Sequence, residues 1–270
     1  MRFIVILLSL VLTTKVYSTD QKVVDLLQSV SVTVTSGTNS GSGVVITRKI
    51  KCGNKDEDVN FIFTAGHVVD NLRSVRTIIE DGKEKKIIEF KTPKITQNII
   101  QNGITIGRLD LDTKVLKYSD SEHGIDLAVL IVLKRDWIKE SAKFTLGDTI
   151  IPVGTNLIHV GSLLGQEGAN SMTTGIMSQI GRILDVGSRQ GILVDQISVG
   201  AFPGSSGGGI FTQDGTYIGM LTRGVQTTFV FMVPTRVINK YLEEKNLLWI
   251  IDPSKEPPTL DEINKIKVEE

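Results

Sequence analysis

Cysteine is almost absent from this chain: Cys52 is the only one in 270 residues. A single thiol cannot close an intrachain disulfide, so the core must hold the fold by itself. Its surroundings, the charged residues 51–58, read as a surface loop in which the thiol is incidental. Aromatic residues are sparse, at 6%, and so is any surplus of charge. The 30 Lys+Arg balance 30 Asp+Glu, so nothing in the composition points to a nucleic-acid or anionic-membrane partner. Three scattered histidines (His67, His123 and His159) and one cysteine give no ligand spacing, so no metal is expected. There is also no phosphate-binding glycine loop, and no cofactor is expected. Long hydrophobic runs are missing too. The apolar run at residues 3–12 has ten positions, where a membrane span needs about 20.

That short run has another reading. Arg2 precedes it, and Val16-Tyr17-Ser18 places small residues where a signal peptidase cuts. Residues 1–18 are therefore expected to be a signal peptide, cleaved near Ser18. The product would be secreted or periplasmic, with no stable membrane anchor after cleavage. The remaining composition, 40% hydrophobic and 22% charged, is that of a globular protein large enough to bury its own core.

Period-two alternation dominates the chain beyond residue 29. Val30, Val32 and Val34 alternate with Ser and Thr, as on a half-buried strand. Further short β-like runs fall at 43–47, 59–64, 75–79, 86–90, 104–106, 113–116 and 125–132, with a polar loop at 49–58. After a crossing linker at 137–146, a second set covers 156–160, 171–180, 191–196, 209–212, 217–222 and 228–233. About a dozen short strands with turns between them predict an all-β sandwich or pair of barrels. Pro234 opens a helix with Val237, Ile238, Tyr241 and Leu242 on one face. Beyond Pro253 the tail is polar and is expected to be loosely held.

Three stretches carry chemistry. Pro203-Gly204-Ser205-Ser206-Gly207-Gly208-Gly209 surrounds a serine with glycines, which let the backbone turn tightly and aim amides at one spot. A serine nucleophile needs such donors for its oxyanion, and a base for its proton. The amides of Gly204 and Ser206 are candidates for that oxyanion hole. By itself the stretch could equally be a flexible turn, but its apolar flanks favour order. Phe61-Ile62-Phe63-Thr64-Ala65-Gly66-His67 ends a strand in a small-residue turn, with a histidine just past it. His159 sits in an apolar run and reads as core or strand edge, while His123 reads as surface. Gly124-Ile125-Asp126-Leu127-Ala128 puts a carboxylate at the mouth of an apolar strand, where it is costly unless paired. An imidazole N–H would suit it; a capping role in a turn is the competing reading.

Taken together, His67, Asp126 and Ser206 occur in an order, with gaps of 59 and 80 residues, that resembles the chymotrypsin-like (trypsin-like) serine peptidases. The likeness is greatest to the disulfide-free HtrA/Deg-type protease domain. It runs through Gly41-Ser42-Gly43-Val44-Val45-Ile46, the TAGHVV stretch, residues 126–130 and 161–165, Thr173-Thr174-Gly175-Ile176, 203–208 and 217–221. The resemblance implies two six-stranded antiparallel β-barrels with a C-terminal helix. The first barrel would occupy 19–140, the second barrel and helix 141–250, and the polar tail 251–270. It implies His67 as base and then acid, Asp126 as its orienter, Ser206 as nucleophile, and Gly204 and Ser206 as oxyanion donors. Thr222 would support the aspartate, and Thr222, Arg223 and Gly224 would pair with an extended polypeptide substrate. Pocket-floor positions would be Gly200 and Ala201, with Val230 alongside. No acid is among them, so a small or aliphatic residue is expected before the cut, and Arg223 would favour acidic neighbours.

The chain departs from the family's pattern in two places. Ser205 stands where trypsins carry an aspartate, so activation by a new N-terminus is not expected. About 30 residues lie beyond the Pro234 helix, too few for a PDZ domain, so that sensor is expected to be missing. The expected function is an exported serine endopeptidase. The alternative is a non-catalytic, protease-fold peptide-binding protein, and a lost triad residue would have favoured it.

Overall fold

The alternating valines after residue 29 do build a strand, and it opens a barrel. The computed structural model describes residues 19–80, 83–101, 103–185 and 191–268; the expected signal peptide, 1–18, lies outside them. Helix α1 (Gln21–Ser29) starts at Asp20, whose carboxylate accepts the Lys22 amide at 2.9 Å. Strands β1 (Ser31–Ser36), β2 (Asn39–Cys52) and β3 (Lys55–Ala65) come next, then the short helix α2 (Gly66–Val69). A separate hairpin, β4 (Arg73–Glu80) with β5 (Lys83–Phe90), stands outside the barrel. Strands β6 (Lys94–Gln101), β7 (Ile104–Ser119) and β8 (Leu127–Val132) complete it in the order β1-β2-β3-β8-β7-β6, closed by β1 against β6.

A linker carries the two-residue strand β9 (Lys143–Phe144) to the second half. There, β10 (Asn156–Leu163), β11 (Gly168–Leu184), β12 (Ile192–Ile197), β15 (Phe229–Pro234), β14 (Thr216–Gln226) and β13 (Gly209–Thr212) form a ring, with β13 pairing back to both β10 and β14. Two six-stranded antiparallel barrels result, with β9 as a parallel seventh strand on β14. Helix α3 (Thr235–Glu244) buries Ile238 and Leu242 completely. No helix among the described residues is long and apolar enough to cross a membrane.

The seam between the barrels is aromatic. Phe63 meets Phe144 edge-on at 5.3 Å, Phe144 stacks on Tyr217 at 4.1 Å, and Tyr217 meets Phe211 at 5.6 Å. All four are buried, so large apolar area from both halves is removed from water in one place. This seam fixes the two barrels against each other and so fixes the cleft at their junction.

Four expectations are corrected. The polar loop at 49–58 is a hairpin: β2 and β3 pair from Val44↔Phe63 out to Cys52↔Lys55, with Lys49 and Asp58 in a 2.9 Å ion pair. The runs at 104–106 and 113–116 belong to one strand, β7. Strand β6 is not among the expected strands, because buried Asn98 breaks its alternation. The tail, expected to be loose, is docked. Arg48 donates to the carbonyls of Trp249, Asp252 (2.6 Å) and Lys255 (2.8 Å). Thr259 and Glu262 then close a capping box on α4 (Leu260–Ile263), and Ile263 is wholly buried.

Candidate active site

Strand pairing decides which residues meet. Strands β3 and β8 are neighbours, with Ala65 opposite Leu127. Two residues past Ala65 is His67, and one residue before Leu127 is Asp126. The pairing therefore brings a histidine and an aspartate together from positions 59 apart. Gly66 makes the turn possible: a Cβ there would stand 2.5 Å from the Ser119 carbonyl oxygen. Asp126 has φ of 55°, a left-handed conformation that aspartate tolerates better than most side chains.

The Asp126 carboxylate is fully buried and fully used. Its Oδ1 accepts the His67 backbone amide at 2.9 Å, and the His67 Nδ1 lies 3.0 Å from Oδ1 and 2.9 Å from Oδ2. The Thr222 hydroxyl, from β14 of the other barrel, donates to Oδ2. A buried carboxylate without such donors would cost several kcal/mol. With them, it fixes the imidazole ring and holds the proton on Nδ1, leaving Nε2 as the free nitrogen. The His67 side chain is 35% exposed and opens on the cleft.

The serine turn lies between β12 and β13. Gly204 and Gly207 have φ of 93° and 86°. A Cβ at Gly207 would stand 2.1 Å from the Ser42 carbonyl oxygen, so no other residue fits there. Inside the turn, the Ser205 amide donates to the Phe202 carbonyl and the Gly208 amide to the Ser205 carbonyl, both at 2.9 Å. The Ser205 hydroxyl accepts the Phe202 amide at 3.1 Å, so its polar atom is spent within the turn. Among the described residues, the amides of Gly204 and Ser206 have no acceptor. The carbonyls of the turn are drawn elsewhere. That of Pro203 accepts the Leu164 amide at 2.7 Å, that of Gly204 accepts the Ser42 hydroxyl at 2.7 Å, and that of Ser206 accepts the Ser42 amide at 2.7 Å. Two unbonded amides on one turn, with its carbonyls tied away, suit a developing oxyanion.

Ser206 itself donates its hydroxyl to the Thr222 carbonyl at 3.2 Å. Among the described residues it makes no hydrogen bond to His67. Catalytic contacts of this kind are often long until substrate binds. A pocket of about 330 Å³ opens beside it, lined by Ala201, Phe202, Pro203, Leu221, Gly224 and Val225 among others. Of the expected floor residues, Ala201 faces it. Gly200 and Val230 stand behind the lining: the Gly200 carbonyl accepts Thr173, and Val230 is buried beneath Gly224. On the cleft side, β14 pairs with β13 only as far as Met220, so residues 222–224 present an unpaired edge there. Arg223 is half-buried, with Nη2 3.5 Å from the Ser121 carbonyl.

Behind the turn lies His159, completely buried, with Nδ1 3.1 Å from the Gly209 carbonyl and, among the described residues, no partner for Nε2. Its ring abuts the α-carbon of Gly208, and burial pushes its pKa down to about 4. His123, by contrast, is exposed beside Asp120.

Ser42 has a part in the site that its sequence context does not assign. Its hydroxyl accepts the Ser162 amide at 2.7 Å and its carbonyl accepts the Thr64 hydroxyl at 2.7 Å, so it ties both barrels to the serine turn. The signal is present in Gly41-Ser42-Gly43. A Cβ on either glycine would stand 2.5 Å from a core side chain, as befits a tightly packed segment.

The model of the trypsin-like peptidase domain matches residues 41–220. Among curated proteins, the chain is 26% identical over 226 residues to serine protease Do-like HtrB of Bacillus subtilis, covering 77% of this chain and 42% of that protein. It is 34% identical over 194 residues to serine protease Do-like HtrA of Lactococcus lactis subsp. cremoris, covering 70% and 38%. The chain thus spans less than half the length of these relatives. In fold it resembles the serine endoprotease from Yersinia pestis, with a TM-score of 0.59 at 18% identity over 87% of this chain and 68% of that one. It likewise resembles Deg5, with a TM-score of 0.57 at 19% identity over 85% and 94%.

Proposed function

We propose that this chain, which belongs to the trypsin-like peptidase family, is an exported serine endopeptidase acting through Ser206, His67 and Asp126. The observation that carries the reading is the buried Asp126 carboxylate, bonded to both the ring and the backbone of His67 beside a serine turn with two unbonded amides. Export rests on the sequence of residues 1–18.

An extended polypeptide adds to the free edge at residues 222–224, and an N–H of its backbone takes the Thr222 carbonyl. That displaces the Ser206 hydroxyl toward His67. His67 Nε2 accepts the proton as Ser206 Oγ attacks the scissile carbonyl. The oxyanion settles on the Gly204 and Ser206 amides, and Asp126 stabilises the imidazolium. His67 then protonates the leaving amine, leaving an acyl-enzyme on Ser206. Water, activated by the same imidazole, releases the acid. A pocket of about 330 Å³ walled by Ala201, Leu221 and Val225 suits a small or aliphatic residue before the cut.

One observation favours the alternative of a non-catalytic peptide-binding protein: the Ser206 hydroxyl rests on Thr222, not on His67. A fluorophosphonate probe separates the two. Labelling that disappears in Ser206→Ala, together with lost hydrolysis of a casein or peptide-library substrate, is the expected result. A folded wild-type protein that takes no label would overturn the enzymatic reading.

A further inference from the structure

We propose that Arg223 makes this cleft prefer substrates with an acidic side chain at the second or fourth residue ahead of the scissile bond. The inference rests on the endopeptidase reading and narrows its substrate class.

The position of the guanidinium comes first. Arg223 sits on β14 between Thr222, whose carbonyl holds the Ser206 hydroxyl, and Gly224, which lines the pocket. Its side chain leaves the strand and reaches the loop that leads into Asp126, with Nη2 3.5 Å from the Ser121 carbonyl. The cation therefore spans the two walls of the cleft, from β14 to the loop before Asp126.

Its lack of an anionic partner comes second. Three other arginines are engaged more closely. Arg236 grips Asp195 with two bonds of 2.7 Å, Arg76 meets Glu89 at 2.8 Å, and Arg48 holds the tail. Arg223 makes no ion pair among the described residues, and its one hydrogen bond lies at the outer limit of length. The acids of the neighbouring loop are turned to other work. Asp120 accepts the amides of Glu122 and His123 at 2.8 and 2.6 Å, and it faces the His123 ring at 3.5 Å. Glu122 lines a different groove, against α3. Most of the five guanidinium donors thus remain available for a planar carboxylate.

The substrate's own geometry supplies the rest. A peptide paired with residues 222–224 is extended, and its side chains alternate between two faces. The residue before the cut turns into the pocket. The second and fourth turn the opposite way, toward the wall formed by Arg223 and the loop at 120–125. A glutamate there meets a half-buried cation, where a close pair gives about a two- to fivefold preference at low salt.

Two pairs of fluorogenic peptides test this, each with valine before the cut and glutamate or glutamine at the second or the fourth position. In the wild type at low salt, the Glu/Gln ratio of kcat/KM is expected to be about 2–5 at one position or both, falling toward about 1 in 1 M salt. Arg223→Gln should bring it to about 1, and Arg223→Glu should make lysine the favoured residue instead. Binding of the same peptides to Ser206→Ala reads the charge preference with no bond cut. A ratio near 1 in the wild type at low salt, or a preference that survives Arg223→Gln, overturns the inference, while hydrolysis of the glutamine peptides would leave the endopeptidase reading standing. Conversely, charge-selective binding with no hydrolysis would retain the Arg223 assignment and defeat the enzyme.

Discussion

His67 and Asp126 come from strand ends of the first barrel, whereas Ser206 comes from a glycine turn of the second. The first half is fixed by side-chain electrostatics: one buried carboxylate gathers the imidazole, a backbone amide and the Thr222 hydroxyl. The second half is fixed by backbone geometry: positive φ at two glycines, and carbonyls tied to Ser42 and Leu164. Each half is held by its own bonds, yet the Ser206 hydroxyl still rests on the Thr222 carbonyl. A base is aligned by a charge close to it, which a neighbouring strand can supply. An oxyanion hole needs several amides on one point, which only a sharply turned backbone supplies.

The largest effect should come from breaking the electrostatic half. In Asp126→Asn, the amide nitrogen would donate where the carboxylate accepted, leaving His67 with its proton on Nε2 and no free base. We expect kcat to fall about ten-thousand-fold while the far-ultraviolet circular dichroism is unchanged. Retention of activity within tenfold would show that Asp126 does not orient the base. Breaking the backbone half should cost less. Gly207→Ala places a methyl 2.1 Å from the Ser42 carbonyl oxygen at a φ of 86°, so the turn must shift. Hydrolysis should drop about 10²–10³-fold, because an ångström of misplacement is felt at that scale. Fluorophosphonate labelling should slow in parallel; labelling at the wild-type rate would refute the geometric argument.

The smallest effect concerns stability and again separates the halves. His159, buried behind Gly208, has its pKa depressed to about 4 from an ordinary 6.5. The unfolded chain therefore binds this proton first as pH falls. The stability that a neutral His159 represents is complete above about pH 6.5 and is lost as pH drops toward about 4. The loss amounts to about 3 kcal/mol. Urea midpoints compared at pH 7 and pH 4.5 should show a steeper acid decline in the wild type than in His159→Gln. Equal declines would remove His159 as the cause.

Legibility in the sequence depends on the range of each interaction. The three polar residues of the site stand out because each sits in a local pattern, a strand end or a glycine turn, where its chemistry is unusual. The continuity of strand β7 also has a local cue: Leu109 and Leu111 alternate with Arg108, Asp110 and Asp112, which joins its two visible ends. Ser42 has none. Its importance lies in bonds to Gly204 and Ser162, 162 and 120 positions away, and no short window contains them. The docked tail is a similar case. Arg48 reads as an ordinary charged strand residue until residues 249–255 arrive beside it, more than 200 positions later.

What the sequence offered alone was the candidate chemistry and the class of architecture. Period-two alternation dictates strands, and a serine among glycines, a histidine past a strand and an aspartate before one are the residues on which the proposed reaction rests. Tertiary structure decided the rest. It chose which carbonyls are tied back and which residues face the pocket. Among the described residues, it also left two amides free and the Arg223 charge without an ion-pair partner. The reason is physical. Strand formation depends on neighbours in the chain, but availability of a donor or a charge depends on every group that folding brings near it, and those groups are mostly far away in sequence.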